Sequence, residues 1–423
     1  MGLALATAVS LLLPPPGLFT LALAVACLWR WEGGAARVLE RLGLDRDVRL
    51  VGGAVALTTA AVANLVFGGQ LDGHLMYRGD FQTYYIGAQV GLRHGWAHIF
   101  DQALQRPLWQ QAFAGRAPFI PYLNTPPQAW LVAPLAGLAF PVAYAAWVAV
   151  MVAITAAVTW LVAPRTWGGR ALTVLAALAL WVLAYSLGGG QNAMFGPLAI
   201  VLCWRLLRAG RPAWAGVALA LVLLRPNAAF LVPVALLIAG QRRVFVAWFG
   251  ASAVAGAVIA ASLGPAGIRQ FLELGAEIRR THPGAVTMTV SHIFGDGPLG
   301  VVAGVALAAV ALTLAYRAGA GRPEMAIAAG VLGSMFVTPY IHVQDVLTVL
   351  AAAALVARSG PRSSFGLVLV AVLLVAPPGT VYGGAWAPIL LAVEVAWLGW
   401  LAAGVLPDRA VRRRRSAPGV APG

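Results

Sequence analysis

The sequence predicts an all-α polytopic membrane protein with about 12–13 transmembrane helices. Hydrophobic residues make up 61% of the 423 residues and charged residues only 10%, and the mean hydropathy is +0.83. No soluble core needs so much apolar sequence. Many of the apolar runs also approach the ~20 residues that cross a hydrocarbon layer of ~30 Å.

The predicted helices follow from the apolar runs in chain order. The first covers residues 3–29 and the second residues 50–68, with a charged loop between them. No positive segment precedes the first run, so we expect a retained helix and not a cleaved signal peptide. Later helices are predicted to begin near residues 141, 171, 193, 213, 227, 244, 298, 325, 346, 364 and 385. Residues 126–139 are too short to cross comfortably, which suits a re-entrant or interfacial element.

The positive charge predicts the orientation. The chain has no lysine, so its net charge of +15 comes from arginine. Most of the arginines fall in alternate predicted loops and in the tail at 408–423, and cytoplasmic loops retain positive charge. We therefore expect a multi-pass plasma-membrane protein with a cytoplasmic C-terminus, whose loops around 69–140 and 264–297 face outward. The dense run Arg412 to Arg415 adjoins a hydrophobic helix, so we expect membrane lipids and not nucleic acid as its partner.

The first outer loop, residues 69–125, is predicted to be structured. Apolar positions recur there at helical spacing, at Phe81, Tyr84, Tyr85, Ala88 and Leu92. This pattern predicts an amphipathic helix over residues 81–93 that lies on the membrane surface.

Asp80 precedes this predicted helix and is the candidate catalytic base. A carboxylate at the outer surface, beside Tyr84 and Tyr85, could accept a proton from a sugar hydroxyl. Aspartate is also a favoured N-cap residue, so a purely structural cap is the alternative. The two tyrosines are candidate substrate contacts.

Residues 338–345 form a second candidate cluster. A proline interrupts two apolar runs there, and broken helices at membrane depth usually line cavities. His342 could bind a donor phosphate or tune Asp80, and Asp345 is a candidate substrate contact. Alternatively, His342 and Asp345 only pair with each other across one helical turn.

Arg225 lies between two short predicted helices and is the candidate anion clamp. An arginine near the membrane interior must find a negative partner or extend to the interface, and a lipid phosphate meets both demands. The alternative partner is a protein acid.

The amides of Gln191 and Asn192 follow three glycines at a predicted outward turn. They could contact sugar hydroxyls, although most glycine turns have no further role.

Two further features suggest chemistry less strongly. His94 and His98, followed by Asp101, have a spacing that invites zinc, but nearby glycines weaken the helix that such a site requires. We expect no metal and no other cofactor, and the sequence has no P-loop or dinucleotide fingerprint. Glu394, inside the last helix, has no partner that the sequence identifies.

Several short motifs, taken in order, resemble glycosyltransferase family 87. They are Gly79-Asp80-Phe81 followed by Tyr84-Tyr85, Gly95, Phe100-Asp101, the segment from Tyr122 to Pro127, Gly190-Gln191-Asn192, Leu224-Arg225-Pro226 and the segment from Pro339 to Asp345. The likeness covers roughly residues 50–360. Two positions depart from the family pattern: Arg225 stands where lysine is common, and Tyr340 lies where a second histidine is usual.

The resemblance implies a GT-C membrane fold and an inverting sugar transfer on the outer face. The implied donor is a polyprenyl-phosphate sugar, most often mannose, and the acceptor is a glycolipid or glycan. Asp80 matches the general base of the family, and His342 matches a histidine of its active-site cavity. Arg225 would bind the donor phosphate.

The resulting organisation has four parts. Residues 1–49 form an N-terminal helix and loop, 50–360 the catalytic membrane core, 361–407 the C-terminal helices, and 408–423 the basic tail. A multi-pass transporter or flippase is the main alternative, but it does not explain a structured outer loop. A GT-C ligase that moves whole glycans from a polyprenyl diphosphate is a second alternative.

Overall fold

The computed structural model describes residues 79–113, 115–163, 180–281, 297–338, 341–359 and 387–405, with a few single residues between them. Within these ranges the chain is helical and contains no strand, which confirms the predicted all-α class. The predicted helices at 3–29 and 50–68, the helix near 364, most of the helix near 171, and the tail at 408–423 lie outside the described residues.

The described α-helices have the following bounds. They are α1 Phe81–His94, α2 Gln102–Phe113, α3 Pro126–Val132, α4 Phe140–Val162, α5 Trp181–Gly188, α6 Phe195–Arg208, α7 Pro212–Leu219, α8 Val232–Ile238, α9 Arg242–Thr281, α10 Pro298–Ala318, α11 Pro323–Val337, α12 Val346–Ser359 and α13 Ala387–Val405. Short 3₁₀ turns lie at Trp96–His98, Ala133–Leu135, Ala220–Leu224 and Val343–Asp345. Four of the helices begin with a proline, a residue whose missing N–H costs nothing at a first helical position.

Three of these helices are long and apolar enough to cross a membrane. They are α4, α10 and the part of α9 from Arg242 to Glu277, and each contains an 18-residue stretch with a mean hydropathy of 2.1–2.2. Their predicted starts, near 141, 298 and 244, agree with the structure to within two residues. The chain is therefore an integral membrane protein, as its composition predicts.

One end of the helix bundle collects arginines. Arg358, at the end of α12, donates hydrogen bonds to the carbonyls of Val162 and Ala163 at the end of α4. Its guanidinium also lies 5.7 Å from the ring centroid of Trp204 in α6. Arg205 lies over the same ring at 5.9 Å. We call this the arginine end.

Four further helices, α7, α9, α10 and α11, reach the same end. Gly216, near the start of α7, packs directly against the Val244 carbonyl near the start of α9. Gln241 donates a hydrogen bond of 3.0 Å to the Ala320 carbonyl between α10 and α11. Thus the described arginines of the alternate predicted loops lie together.

The opposite end, which we call the site end, brings together the start of α4 and the end of α5. The Tyr144 hydroxyl donates to the Gly188 carbonyl at 2.5 Å. The indole N–H of Trp147 donates to the Gly190 carbonyl at 2.8 Å. These two bonds hold the glycine turn against α4.

Helix α1 is confirmed as a helix, but its predicted place on the membrane surface is wrong. Every residue from Phe81 to Gly91 is buried by protein, and Leu92, expected on the apolar face, is 57% exposed. The polar positions are buried as well: Gln89 donates to the Ala136 carbonyl at 3.1 Å. Apolar periodicity predicts one buried face but does not show that neighbouring segments cover the others.

The short apolar segment at 126–139 contains α3 and one 3₁₀ turn. A seven-residue helix is about 10 Å long at 1.5 Å per residue, so it does not cross the ~30 Å layer. The prediction of a short element is confirmed.

Candidate active site

The site is organised by a close contact between two glycine segments. Gly79 packs so tightly on the Gly189 backbone that a Cβ at position 79 would overlap the Gly189 carbonyl. A Cβ on Gly190 would lie 2.5 Å from that of Phe81, and Gly190 has a φ of +60°. Only glycine tolerates this combination of backbone conformation and space. The start of α1 and the turn before α6 are therefore in direct contact.

Asp80 stands at the N-cap position of α1 but does not cap it with its side chain. Its dihedral angles are helical, and no side-chain cap hydrogen bond is present. The Thr83 hydroxyl instead donates to the Asp80 backbone carbonyl at 2.8 Å. The structural alternative for this carboxylate is therefore not supported, because a capping aspartate would bond the N–H groups of the first turn.

Asn192 connects three segments of the site. Its Oδ1 accepts a hydrogen bond of 2.8 Å from Arg225 Nη1 and lies 3.5 Å from the Tyr84 hydroxyl. Its Nδ2 donates to the Leu224 carbonyl at 3.0 Å. Both ends of the amide are engaged and the side chain is buried, so Asn192 is a bridge, and its sugar contact stays a prediction.

Arg225 forms an ion pair with an acidic side chain of the protein. The sequence left two possible partners for this arginine, a lipid phosphate and a protein acid, and the second is observed. Its Nε lies 2.5 Å from Asp345 Oδ1, and the two side chains are 10% and 0% exposed. The second carboxylate oxygen of Asp345 accepts the backbone N–H of His342 at 2.9 Å. The predicted pairing of His342 with Asp345 therefore exists, although it uses the backbone of the histidine.

The backbone beside Arg225 is fixed by residues that the sequence did not single out. The Leu224 carbonyl accepts from Gln128 Nε2 at 2.5 Å and also from Asn192. Thr125 lies 3.5 Å from the Leu223 carbonyl. The signal in the sequence was a polar residue directly after two prolines, in the first turn of an otherwise apolar helix.

Asp80 and Arg225 both act electrostatically on Tyr84. Burial raises the pKa of the Tyr84 phenol well above its ordinary value, the charge of Asp80 raises it further, and Arg225 lowers it. Tyr84 is therefore a neutral phenol at any physiological pH. The carboxylate of Asp80 and the guanidinium of Arg225 thus lie within electrostatic range of the same hydroxyl.

The cluster lies below the ends of the long helices. At about 1.5 Å per residue, the 14 residues of α6 or of α12 rise about 21 Å from the arginine end. Helix α4, with 23 residues, rises about 35 Å from the same end. Asn192, Arg225 and Asp345 stand at the site ends of shorter helices, and consequently beneath the far end of α4.

The structure brings together most of the predicted site residues. Two of them, Tyr85 and Gln191, contact other parts of the protein. The Tyr85 hydroxyl donates to the Leu138 carbonyl at 2.7 Å, and its ring packs edge-on against Phe140. Gln191 is buried beside Gly189, and its Oε1 has no hydrogen-bond partner among the described residues. Direct substrate contacts of Tyr85, Gln191 and Asp345 stay predictions.

The candidate zinc ligands and the buried acid Glu394 form no site among the described residues. His94 and His98 are exposed, and Asp101 Oδ1 accepts the N–H of Ala103 at 2.8 Å. In the described ranges no group of three histidine, cysteine or acidic side chains converges. Glu394 is buried in α13, and its Oε1 has no partner among the residues with a described position.

With this geometry established, the chain was compared with known proteins. It matches the model of "Glycosyltransferase family 87" over residues 122–342, which is just over half of its length. The chain belongs to glycosyltransferase family 87. Searches of curated proteins and of solved structures each returned no match.

Family membership places the protein among membrane glycosyltransferases. It favours that class over the transporter alternative, since the matched segment includes Asn192 and Arg225 and ends at His342. Asp80 and Asp345 lie outside the matched segment, so their roles depend on the geometry described above.

Proposed function

We propose that the protein transfers a hexose, with mannose as the first candidate, from a polyprenyl-phosphate sugar to a lipid or glycan acceptor. The transfer takes place on the extracytoplasmic face of the cell membrane, inverts the anomeric centre, and uses Asp80 as general base. Transfer of whole glycans from a diphosphate lipid is the alternative enzyme activity.

One observation carries this proposal: a largely buried arginine and an aspartate without a side-chain cap bond both act electrostatically on Tyr84 at the site end of the membrane core. Arg225 is held by Asp345 and Asn192, and Asp80 makes no side-chain cap bond. A general base needs a carboxylate that is not engaged in the fold, and a phosphate site needs a fixed cation.

The residues have distinct roles in the proposed reaction. Asp80 takes the proton of an acceptor hydroxyl as the acceptor oxygen attacks the anomeric carbon of the donor. The bond from that carbon to the phosphate oxygen breaks, and polyprenyl phosphate leaves with one additional negative charge. Arg225 stabilises this charge, and a low-dielectric site strengthens the interaction.

Arg225 retains donors for this role. A guanidinium has five N–H groups in a fixed fork. The described contacts of Arg225 use its Nε with Asp345 and its Nη1 with Asn192. Its remaining donors suit a phosphate oxygen, and the carboxylate of Asp345 keeps the fork in one orientation. His342, at the same junction, would contact the phosphate or tune Asp80.

The activity is tested with purified protein in liposomes, polyprenyl-phosphate mannose and a panel of glycolipid acceptors. We expect mannose on an acceptor with the wild-type protein. Asp80→Asn should lower the transfer rate by about 100-fold or more, the usual size of a general-base contribution. The matched control is Glu273→Gln, which removes a carboxylate exposed in α9 and should leave the rate within about twofold. Substantial turnover by folded Asp80→Asn would remove Asp80 from the mechanism.

The orientation is tested separately by thiol labelling in intact cells. Gln110 in α2 and Gly321 at the arginine end are both exposed. Cysteine at position 110 should react with an impermeant reagent from outside, whereas cysteine at 321 should react only after permeabilisation. The opposite pattern would place the site on the cytoplasmic face, where the positive-inside rule does not put it.

A further inference from the structure

Helix α9 is too long for one membrane crossing. At about 1.5 Å per residue its 40 residues extend about 60 Å, twice the ~30 Å of the hydrocarbon layer. The stretch from Arg242 to Leu263 alone accounts for about 33 Å. The remaining residues, 265–281, must therefore begin where the chain leaves the hydrocarbon.

The helix is interrupted at this point. Gly264 has dihedral angles of 60° and 179°, which are not helical, and Pro265 follows it. Proline has no N–H to donate to the preceding turn, so the helix cannot pass through this pair unchanged. We call residues 265–281 the second half of α9.

One side of the second half packs against the first loop. Gly267 lies so close to the Ala97 carbonyl that a Cβ there would be 2.7 Å away. The rings of Phe271 and Phe100 are 5.0 Å apart. Gln102 donates to Glu277 Oε2 at 3.4 Å. These contacts fix the second half against residues 97–102.

Two large apolar side chains of the second half are exposed on the side away from the first loop. Ile268 is 37% exposed and Leu272 is 64% exposed, and their i, i+4 spacing places them on one face. Arg269 and Arg280, also exposed, lie together at one edge of this face, where Glu273 is exposed as well. Large apolar side chains exposed in this way usually mark an interaction surface.

The exposed surface of α9 before Gly264 indicates which molecule covers the apolar face of the second half. Val254 and Val258, in the first half, are also exposed, and they lie in the segment with the hydropathy of a membrane span. Lipid therefore covers the first half. Exposed apolar residues continue from there across Gly264 to Ile268 and Leu272, with no acidic residue before Glu273.

We propose that the second half of α9 is an interfacial helix that lies in the headgroup layer of the leaflet at the site end. Ile268 and Leu272 enter the upper acyl region, and Arg269 and Arg280 contact lipid phosphates. Such a helix binds through its apolar face and through attraction of its cations to phosphate. Since Ala97 and Phe100 pack on its other side, it holds the first loop at the membrane surface. This proposal does not depend on the proposed function.

The test is quenching of an environment-sensitive fluorophore by brominated lipid. Single cysteines replace Leu272, Ile268 or Glu273 in the otherwise full chain, with Cys27→Ala and Cys203→Ala, and are labelled with a nitrobenzoxadiazole dye. The proteins are reconstituted in phosphatidylcholine vesicles with or without lipid brominated at carbons 6 and 7. We expect at least a twofold loss of fluorescence at positions 272 and 268, and a clearly smaller loss at 273.

Two results would overturn the proposal. Weak and equal quenching at all three positions would mean that the second half projects into water. A blue-shifted dye at 272 that brominated lipid does not quench would mean that protein, such as a second copy of the chain, covers this face. The variants at 268 and 272 report on the same face. If one of them does not fold, the other still tests the proposal.

Discussion

The two ends of the bundle each use an arginine to join separate helices, but with partners of different kinds. At the site end, the side chain of Arg225 is 10% exposed and its partner Asp345 is a fully buried carboxylate. At the arginine end, Arg358 is exposed and bonds neutral carbonyls of α4 while it lies over the Trp204 ring.

We propose that this difference separates a functional arginine from a structural one. A cation at the carbonyl end of a helix contributes about 0.3–1 kcal/mol when exposed. A buried ion pair is seldom the most stable choice, since apolar residues of similar volume are often equal or better. We infer that the Arg225–Asp345 pair is present because the site needs a fixed cation, whereas Arg358 is present because helices must be joined.

The largest predicted effect comes from breaking the buried pair. Asp345→Leu alone should destabilise the protein by about 3–5 kcal/mol, because it leaves the charge of Arg225 uncompensated. The measurement is the free energy of unfolding in mixed micelles, together with the transfer rate.

A double variant makes this comparison sharper. Arg225→Met combined with Asp345→Leu should recover most of the lost stability and none of the transfer activity. If the double variant is as unstable as Asp345→Leu alone, the pair is structural, and the contrast with Arg358 fails.

The second effect concerns the glycine contact at the site end. Gly79→Ala should cost about 1–3 kcal/mol, because the added Cβ overlaps the Gly189 backbone and the segments must separate. The transfer rate should fall by about 100-fold, since Asp80 is displaced with its neighbour. The control is Gly137→Ala, where nothing lies within 4 Å of the added Cβ. Equal thermal stability of the two variants would contradict the described contact.

The smallest effect is expected at the arginine end. Arg358→Lys keeps a cation near the last carbonyls of α4 but loses the planar fork over Trp204. We expect a loss below about 1 kcal/mol and an unchanged transfer rate. A strong loss of activity, measured in the same liposome assay, would show that the two ends are not independent.

The sequence predicted the membrane class and the starts of the long helices because apolar length is a direct consequence of bilayer thickness. It placed α4, α9 and α10 to within two residues. It misjudged α1, since no local pattern shows that neighbouring segments bury its polar positions, as the carbonyl of Ala136 does for Gln89. The interfacial character expected there is proposed instead for the second half of α9, which follows a break at Gly264.

The sequence identified individual residues of the candidate site but not the contacts between them. Arg225 and Asp345 were each singled out, because charges at membrane depth are costly without a reason. Their mutual pairing depends on how the segment after the 3₁₀ turn Ala220–Leu224 meets the turn Val343–Asp345, which no sequence spacing determines. Gln128 was missed, since a polar residue directly after two prolines is a signal that does not identify its partner, the Leu224 carbonyl.

The close contact of Gly79 with Gly189 also constrains how the protein assembles during synthesis. Asp80 precedes Asn192 by more than a hundred residues, so α1 is made well before the turn that it packs against. Until the glycine turn arrives, the start of α1 lacks the surface that positions Asp80. Asp80, the proposed base, therefore reaches its position only after the glycine turn has been made, and a chain that ends before this turn would lack the site.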